Sequence, residues 1–147
     1  MKKSIRILLL LALAVLLALF LTGVAYATRP QEAYFEFDLL LTGMDSAAGT
    51  FTAIGAVNDY GAAHQVFWYT DDGNVQGIKT MEGQLGTITL KFTAMPMPDG
   101  TAIGHFTVMG GTGAYEDIHG QGDTYANLVF EPVPGIVGSY SGKVHFD

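Results

Sequence analysis

Beyond residue 27, no stretch of the 147-residue chain repeats its apolar residues at helical spacing. What recurs is alternation. Phe35, Phe37, Leu39 and Leu41 fall on one face of an extended segment, with Glu36 and Asp38 on the other. Period-two patterning of this kind makes a strand with one buried face. The same reading places strands at 34–42, 50–57, 63–70, 75–82, 86–94, 101–109, 123–130 and 136–146. On the third, His64, Val66 and Trp68 share one face and Gln65, Phe67 and Tyr69 the other. Asp71-Asp72-Gly73-Asn74 reads as a hairpin turn, because Asp and Asn tolerate the left-handed region and Gly prefers it. Eight short strands in sequence predict an antiparallel sheet that meanders up and down. Both outer strands are apolar rather than charged, so an open sheet would leave two sticky edges; closing the first strand onto the last removes them. The expected fold is all-β, an eight-stranded antiparallel up-and-down barrel.

One segment interrupts the meander. Residues 109–122 read Met-Gly-Gly-Thr-Gly-Ala-Tyr-Glu-Asp-Ile-His-Gly-Gln-Gly, with Gly at 110, 111, 113, 120 and 122. That density marks a corner or bulge. Ala114 to Ile118 is expected to form a single helical turn, plugged into the fold by Tyr115 and Ile118. The expected structural corner is Gly110, Gly111, Thr112, Gly113, Tyr115, Gly120 and Gly122.

The N-terminus has a different character. Lys2, Lys3 and Arg6 precede an unbroken apolar run over 7–21, and Ala25-Tyr26-Ala27 supplies small residues at the −3 and −1 positions of a cleavage site. This is the pattern of a secretory signal helix, cleaved after Ala27, with the single barrel domain in 28–147. The alternative is an uncleaved membrane anchor, since the run approaches the roughly 18 residues of a membrane span. The leader carries three of the seven positive charges, leaving Arg29, Lys79, Lys91 and Lys143 against 14 acids, a net charge of −10 over 120 residues. So acidic a domain repels phosphate backbones, which argues against nucleic acid. It offers no basic stripe to anionic lipid, so a membrane is met only through an uncleaved leader. With no Cys, the fold has neither disulfides nor thiol chemistry.

The corner, Val108-Met109-Gly110-Gly111-Thr112-Gly113-Ala114-Tyr115 followed by Ile118-His119-Gly120-Gln121-Gly122, resembles the Gly-Gly-Thr-Gly-x-aromatic…Gly segment of plant dirigent proteins. Those share an eight-stranded antiparallel barrel with allene oxide cyclases. The chain end, Gly138-Ser139-Tyr140-Ser141-Gly142-Lys143-Val144-His145-Phe146-Asp147, is similar to that of bacterial secreted, uncharacterised proteins of this barrel superfamily. The resemblance implies a barrel of that kind and makes a homo-oligomer plausible, since related barrels form trimers. It matches Asp38 to a first-strand Asp of the dirigent proteins and suggests Glu36 for the strand-borne Glu of the cyclases. Where dirigent proteins tend to have Arg within the corner, this chain has Glu116 and His119. Lignan and oxylipin chemistry are therefore not transferred.

Candidate chemistry is sparse. His64, His105, His119 and His145 lack the close spacing of metal ligands, so no metal and no cofactor is expected. Asp71, Asp72 and Asn74 lack the rest of a calcium loop. Gly110-Gly111-Thr112-Gly113 is followed by neither Lys-Ser/Thr nor a long helix, so it is not a phosphate loop. Gly-x-Ser-x-Gly is absent. Glu36 and Asp38 are the candidate catalytic residues: in a lumen, two neighbouring carboxylates would raise one pKa and make a general acid. The apolar opposite face of their strand argues instead for solvent. Phe67, Trp68, Tyr69 and Tyr140 are candidate ligand-binding aromatics, or simply core. These residues favour a secreted barrel that binds a small apolar or aromatic molecule without turning it over. One alternative is an isomerase or cyclase acting in the cavity. The other is a non-catalytic structural or interaction protein at the cell surface. The state of the lumen separates the three.

Overall fold

Phe35, Phe37 and Leu39 all point into the interior of a closed barrel. A computed structural model describes residues 29–147; the expected signal helix, its expected cleavage site and Thr28 lie outside the described residues. The strands are β1 (Gln31–Leu41), β2 (Ser46–Gly55), β3 (Asp59–Tyr69), β4 (Val75–Gly83), β5 (Thr87–Pro96), β6 (Thr101–Gly111), β7 (Ile118–Val129) and β8 (Gly135–Phe146). Each pairs antiparallel with its sequence neighbours, and β1 pairs with β8 to close the ring. Phe35 sits opposite Tyr140 and Phe37 opposite Gly138 across that closing seam. On its outer surface, Lys143 of β8 lies 3.5 Å from Glu32 of β1, an exposed pair that contributes at most about 1 kcal/mol. The seam is held by its ladder and by the rings behind it.

Several elements extend beyond their expected bounds. β2 starts at Ser46 rather than residue 50, because the Ser46 carbonyl accepts from both Thr42 and Gly43 N–H and makes the preceding turn tight. β3 starts at Asp59 rather than 63. β7 starts at Ile118 rather than 123, so Gly120 and Gly122 belong to a strand and not to the corner. The expected helical turn over 114–118 is a shorter 3-10 turn, Gly113–Tyr115. Tyr115 and Ile118 are both buried. Between β5 and β6 the register slips: Thr89 faces Gly110 but Leu90 faces Val108, leaving Met109 as the extra, exposed residue of a bulge. The added residue increases local twist.

The lumen is narrow enough that aromatic rings need glycines opposite them. Phe92 pairs with Gly77, and a Cβ at Gly77 would lie 2.5 Å from the Phe92 ring. Phe37 stands in the same relation to Gly138, with 2.7 Å from a would-be Cβ to the ring. Each fully buried ring is worth roughly 1.5–3 kcal/mol of transfer free energy, and these pairings let rings of this size fit inside eight strands.

Candidate functional site

The two ends of the barrel differ. At one end the lumen is filled by Val57, Met81, Ile118 and Val144, all fully buried, and capped by Tyr115. The cap hangs on Asp59 at the start of β3. Its carboxylate accepts from the N–H groups of Tyr60 (2.8 Å), Gln84 (2.9 Å) and Leu85 (3.1 Å), and from the Tyr115 hydroxyl (2.9 Å). Burial pushes the Asp59 carboxyl up, but the three N–H donors and the phenol outweigh it and hold the group below its ordinary value. The Tyr115 phenol is pushed well above its ordinary value by burial and by the Asp59 carboxylate it donates to. The corner is tied to the same turn: Ala114 N–H donates to the Leu85 carbonyl (2.9 Å), and the Thr112 and Thr87 hydroxyls lie 2.7 Å apart. Gly110, Gly111, Thr112, Gly113 and Tyr115 thus build the closed end.

The other end is open. A cavity of about 270 Å³ enters between the β1–β2, β3–β4, β5–β6 and β7–β8 connections. Exposed Met44, Tyr69, Met97 and Phe130 ring its mouth, and Phe67, Val75, Phe92, Ala126 and Ile136 line its walls. Its buried floor is Phe37, Gln65, Thr124 and Tyr140. Of the four aromatics expected to contact a ligand, Phe67, Tyr69 and Tyr140 line this cavity. Trp68 alternates to the outside of β3, where it is 43% exposed.

Glu36 and Asp38 also lie outside. Both are exposed on the outer face of β1, where they border an open groove with Thr50, Thr52, Tyr125 and Ser139. Glu36 accepts from the Tyr34 hydroxyl at 3.3 Å. The structure does not bring either acid to the lumen.

The lumen instead holds a base that sequence reasoning passed over. Lys79 on β4 is fully buried, and its Nζ has no hydrogen-bond partner. It reaches across the lumen to β1 and β8, where Nζ lies 2.8 Å from the ring centroid of Phe37 and 4.7 Å from that of Tyr140. Those rings lie tilted against each other with centroids 5.1 Å apart, and Phe106 closes on Tyr140 at 5.0 Å. Ring faces stabilise a cation, but burial dominates and holds the Lys79 ammonium well below its ordinary pKa. Burial likewise raises the Tyr140 phenol, against the Thr124 hydroxyl that opposes it. Lys79 was detectable in principle. Its alternation partners Val75, Gly77 and Met81 oppose a face of Gln76, Ile78, Thr80 and Glu82, which is three-quarters polar.

The histidines sit on the outer face. His119 and His145 are direct cross-strand partners with rings stacked at 5.5 Å, and their Nε2 atoms lie 3.2 and 3.7 Å from Asp147. His105 pairs with Asp123 at 2.8 Å. Among the described residues, no three His, Cys, Asp or Glu side chains are grouped to hold a metal ion. Asp72 is engaged within its own turn by Thr70 and Asn74.

No family model, curated protein or solved structure matches the chain.

Proposed function

We propose that this chain is a secreted barrel of the allene oxide cyclase/dirigent-like kind that binds a small apolar or aromatic molecule without transforming it. The observation that carries the binding reading is the one-ended, aromatic-walled cavity floored by Phe37, Gln65, Thr124 and Tyr140. Its roughly 270 Å³ falls just below the ~300–1,000 Å³ of pockets that hold drug-sized ligands, which suits a molecule of one or two rings or a short chain. The kinship rests on the Gly-Gly-Thr-Gly corner with its aromatic plug and on the sequential order of eight strands around the ring. Export rests on the leader pattern alone. An isomerase using Glu36 or Asp38 would need an enclosed carboxylate, and both groups face outward.

The test is titration with the apolar dye N-phenylnaphthylamine, followed by displacement with small aromatic and aliphatic compounds. Saturable enhancement is expected, weakened about tenfold or more by Ala126→Phe, which places a ring in the cavity, and unchanged by Trp68→Ala, outside it. Absence of saturable binding, or equal binding by Ala126→Phe with its fold intact, refutes the reading.

A further inference from the structure

A lysine in the middle of an apolar lumen is an expensive residue. A methionine or leucine would fill similar space without the desolvation cost of an amine. For Lys79 that cost is offset only in part, by ring faces: no carboxylate pairs with it among the described residues, and Nζ makes no hydrogen bond. Nζ faces the rings of Phe37 and Tyr140. The same two rings, Phe37 and Tyr140, also form the cavity floor. Nζ therefore lies directly behind the floor, covered by the ring of Phe37. That ring packs against the backbone at Gly138, where a Cβ would stand 2.7 Å from it. Gln65, the direct cross-strand partner of Lys79, belongs to the floor as well.

We propose that Lys79 is a nucleophile that forms an imine with a small apolar aldehyde admitted through the open end of the barrel. The inference rests on the cavity being a binding site. Displacement of the Phe37 ring by the ligand's own apolar body brings the carbonyl carbon to Nζ. The amine lone pair attacks that carbon while the carbonyl electrons move to oxygen. A proton passes from nitrogen to oxygen to give the carbinolamine. The C–O bond then breaks, oxygen departs with a further proton as water, and nitrogen loses its second proton to leave the neutral imine. The balance is amine plus aldehyde to imine plus water, with no oxidant or reductant. The chemistry needs an unprotonated amine at neutral pH, and desolvation of the kind that surrounds Lys79 supplies one. Lys91 and Lys143 are exposed and serve as internal controls.

The experiment treats the purified protein with benzaldehyde and cyanoborohydride at pH 7, which reduces an imine to a stable benzylamine, and locates the label by peptide mass mapping. Lys79 is expected to label at least about tenfold faster than Lys91 or Lys143, because burial among ring faces favours its unprotonated amine. N-phenylnaphthylamine is expected to suppress labelling at Lys79 and spare the two controls. Lys79→Met is expected to lose the fast label while still binding the dye. Phe37→Leu, which thins the cover over Nζ, is expected to speed labelling at Lys79. An unlabelled Lys79 in a protein that binds the dye saturably overturns the imine and leaves the binding reading standing. Failure of both overturns both. If Lys79→Met does not fold, the dye's effect on the parent protein decides, and labelling that the dye does not suppress overturns the proposal.

Discussion

Lys79 and Asp59 are both buried ionisable residues, and they meet burial in opposite ways. Asp59 is surrounded by donors, so its charge is solvated by the fold. Lys79 has only ring faces, so its charge is not. For Lys79 the folded-state pKa is depressed, so the unfolded chain takes up a proton that the folded chain does not. Stability from this residue therefore falls as pH drops below the unfolded value, near 10.4. Lys79→Met should accordingly stabilise the protein at pH 7. The gain should shrink as pH rises toward 10.4, as urea unfolding at pH 7 and pH 10 would measure. Asp59 has the opposite dependence. Its depressed pKa contributes stability that is present above the unfolded value near 3.9 and lost as pH falls through the folded one. Tyr115→Phe should cost ~1.5–3 kcal/mol, the range for a hydrogen bond to a charged group. Asp59→Ala should cost more, because it orphans the phenol and the Gln84 and Leu85 N–H groups together; chemical denaturation of the two variants gives the ranking.

At the scale of elements, the strands whose two faces differ most in polarity could be read directly. β1 and β5 alternate large apolar residues with polar ones, and their inward faces are those the pattern predicts. The beginnings of β2 and β7 could not. Ala47-Ala48-Gly49 and Gly120-Gln121-Gly122 carry little side chain to alternate, and their strand character comes from pairing with β3 and β8. Trp68 and Lys79 escaped for a related reason. Hydrophobicity alone sends Trp inward and Lys outward, whereas the period of two, fixed by the neighbouring residues, sends each the other way. The open cavity was not readable at all, because it depends on how eight strand ends splay. The corner was readable as a corner, and its glycines have unequal burdens. Gly113 has φ +63°, and a Cβ there would stand 2.5 Å from the Leu85 carbonyl oxygen, whereas Gly73 has φ +83° with open space around it. Gly73→Ala should cost only the left-handed strain of ~1–2 kcal/mol. Gly113→Ala adds a backbone clash and should cost clearly more, which paired thermal melts would show.

For the molecule as a whole, the closing seam brings the two ends of the described chain together: Gln31 is the cross-strand partner of Val144. A circular permutant that links the ends and opens the chain at Asp72, in an exposed turn, should keep the barrel and its dye binding, as circular dichroism and titration would report. Permutation is tolerated best where the opened backbone lies in an exposed turn tip. Closure also sets the kinetics, because β1 and β8 must meet from opposite ends of the sequence before the ring is complete; refolding in milliseconds to seconds is expected by stopped-flow fluorescence. The unequal ends make the molecule a cup rather than a pipe. Whatever enters past Met44, Tyr69, Met97 and Phe130 must leave by the same way, since Tyr115 and its anchor stopper the far side. Residence time is then governed at the rim, and changes to these four side chains should alter how long a guest stays far more than how snugly the interior holds it.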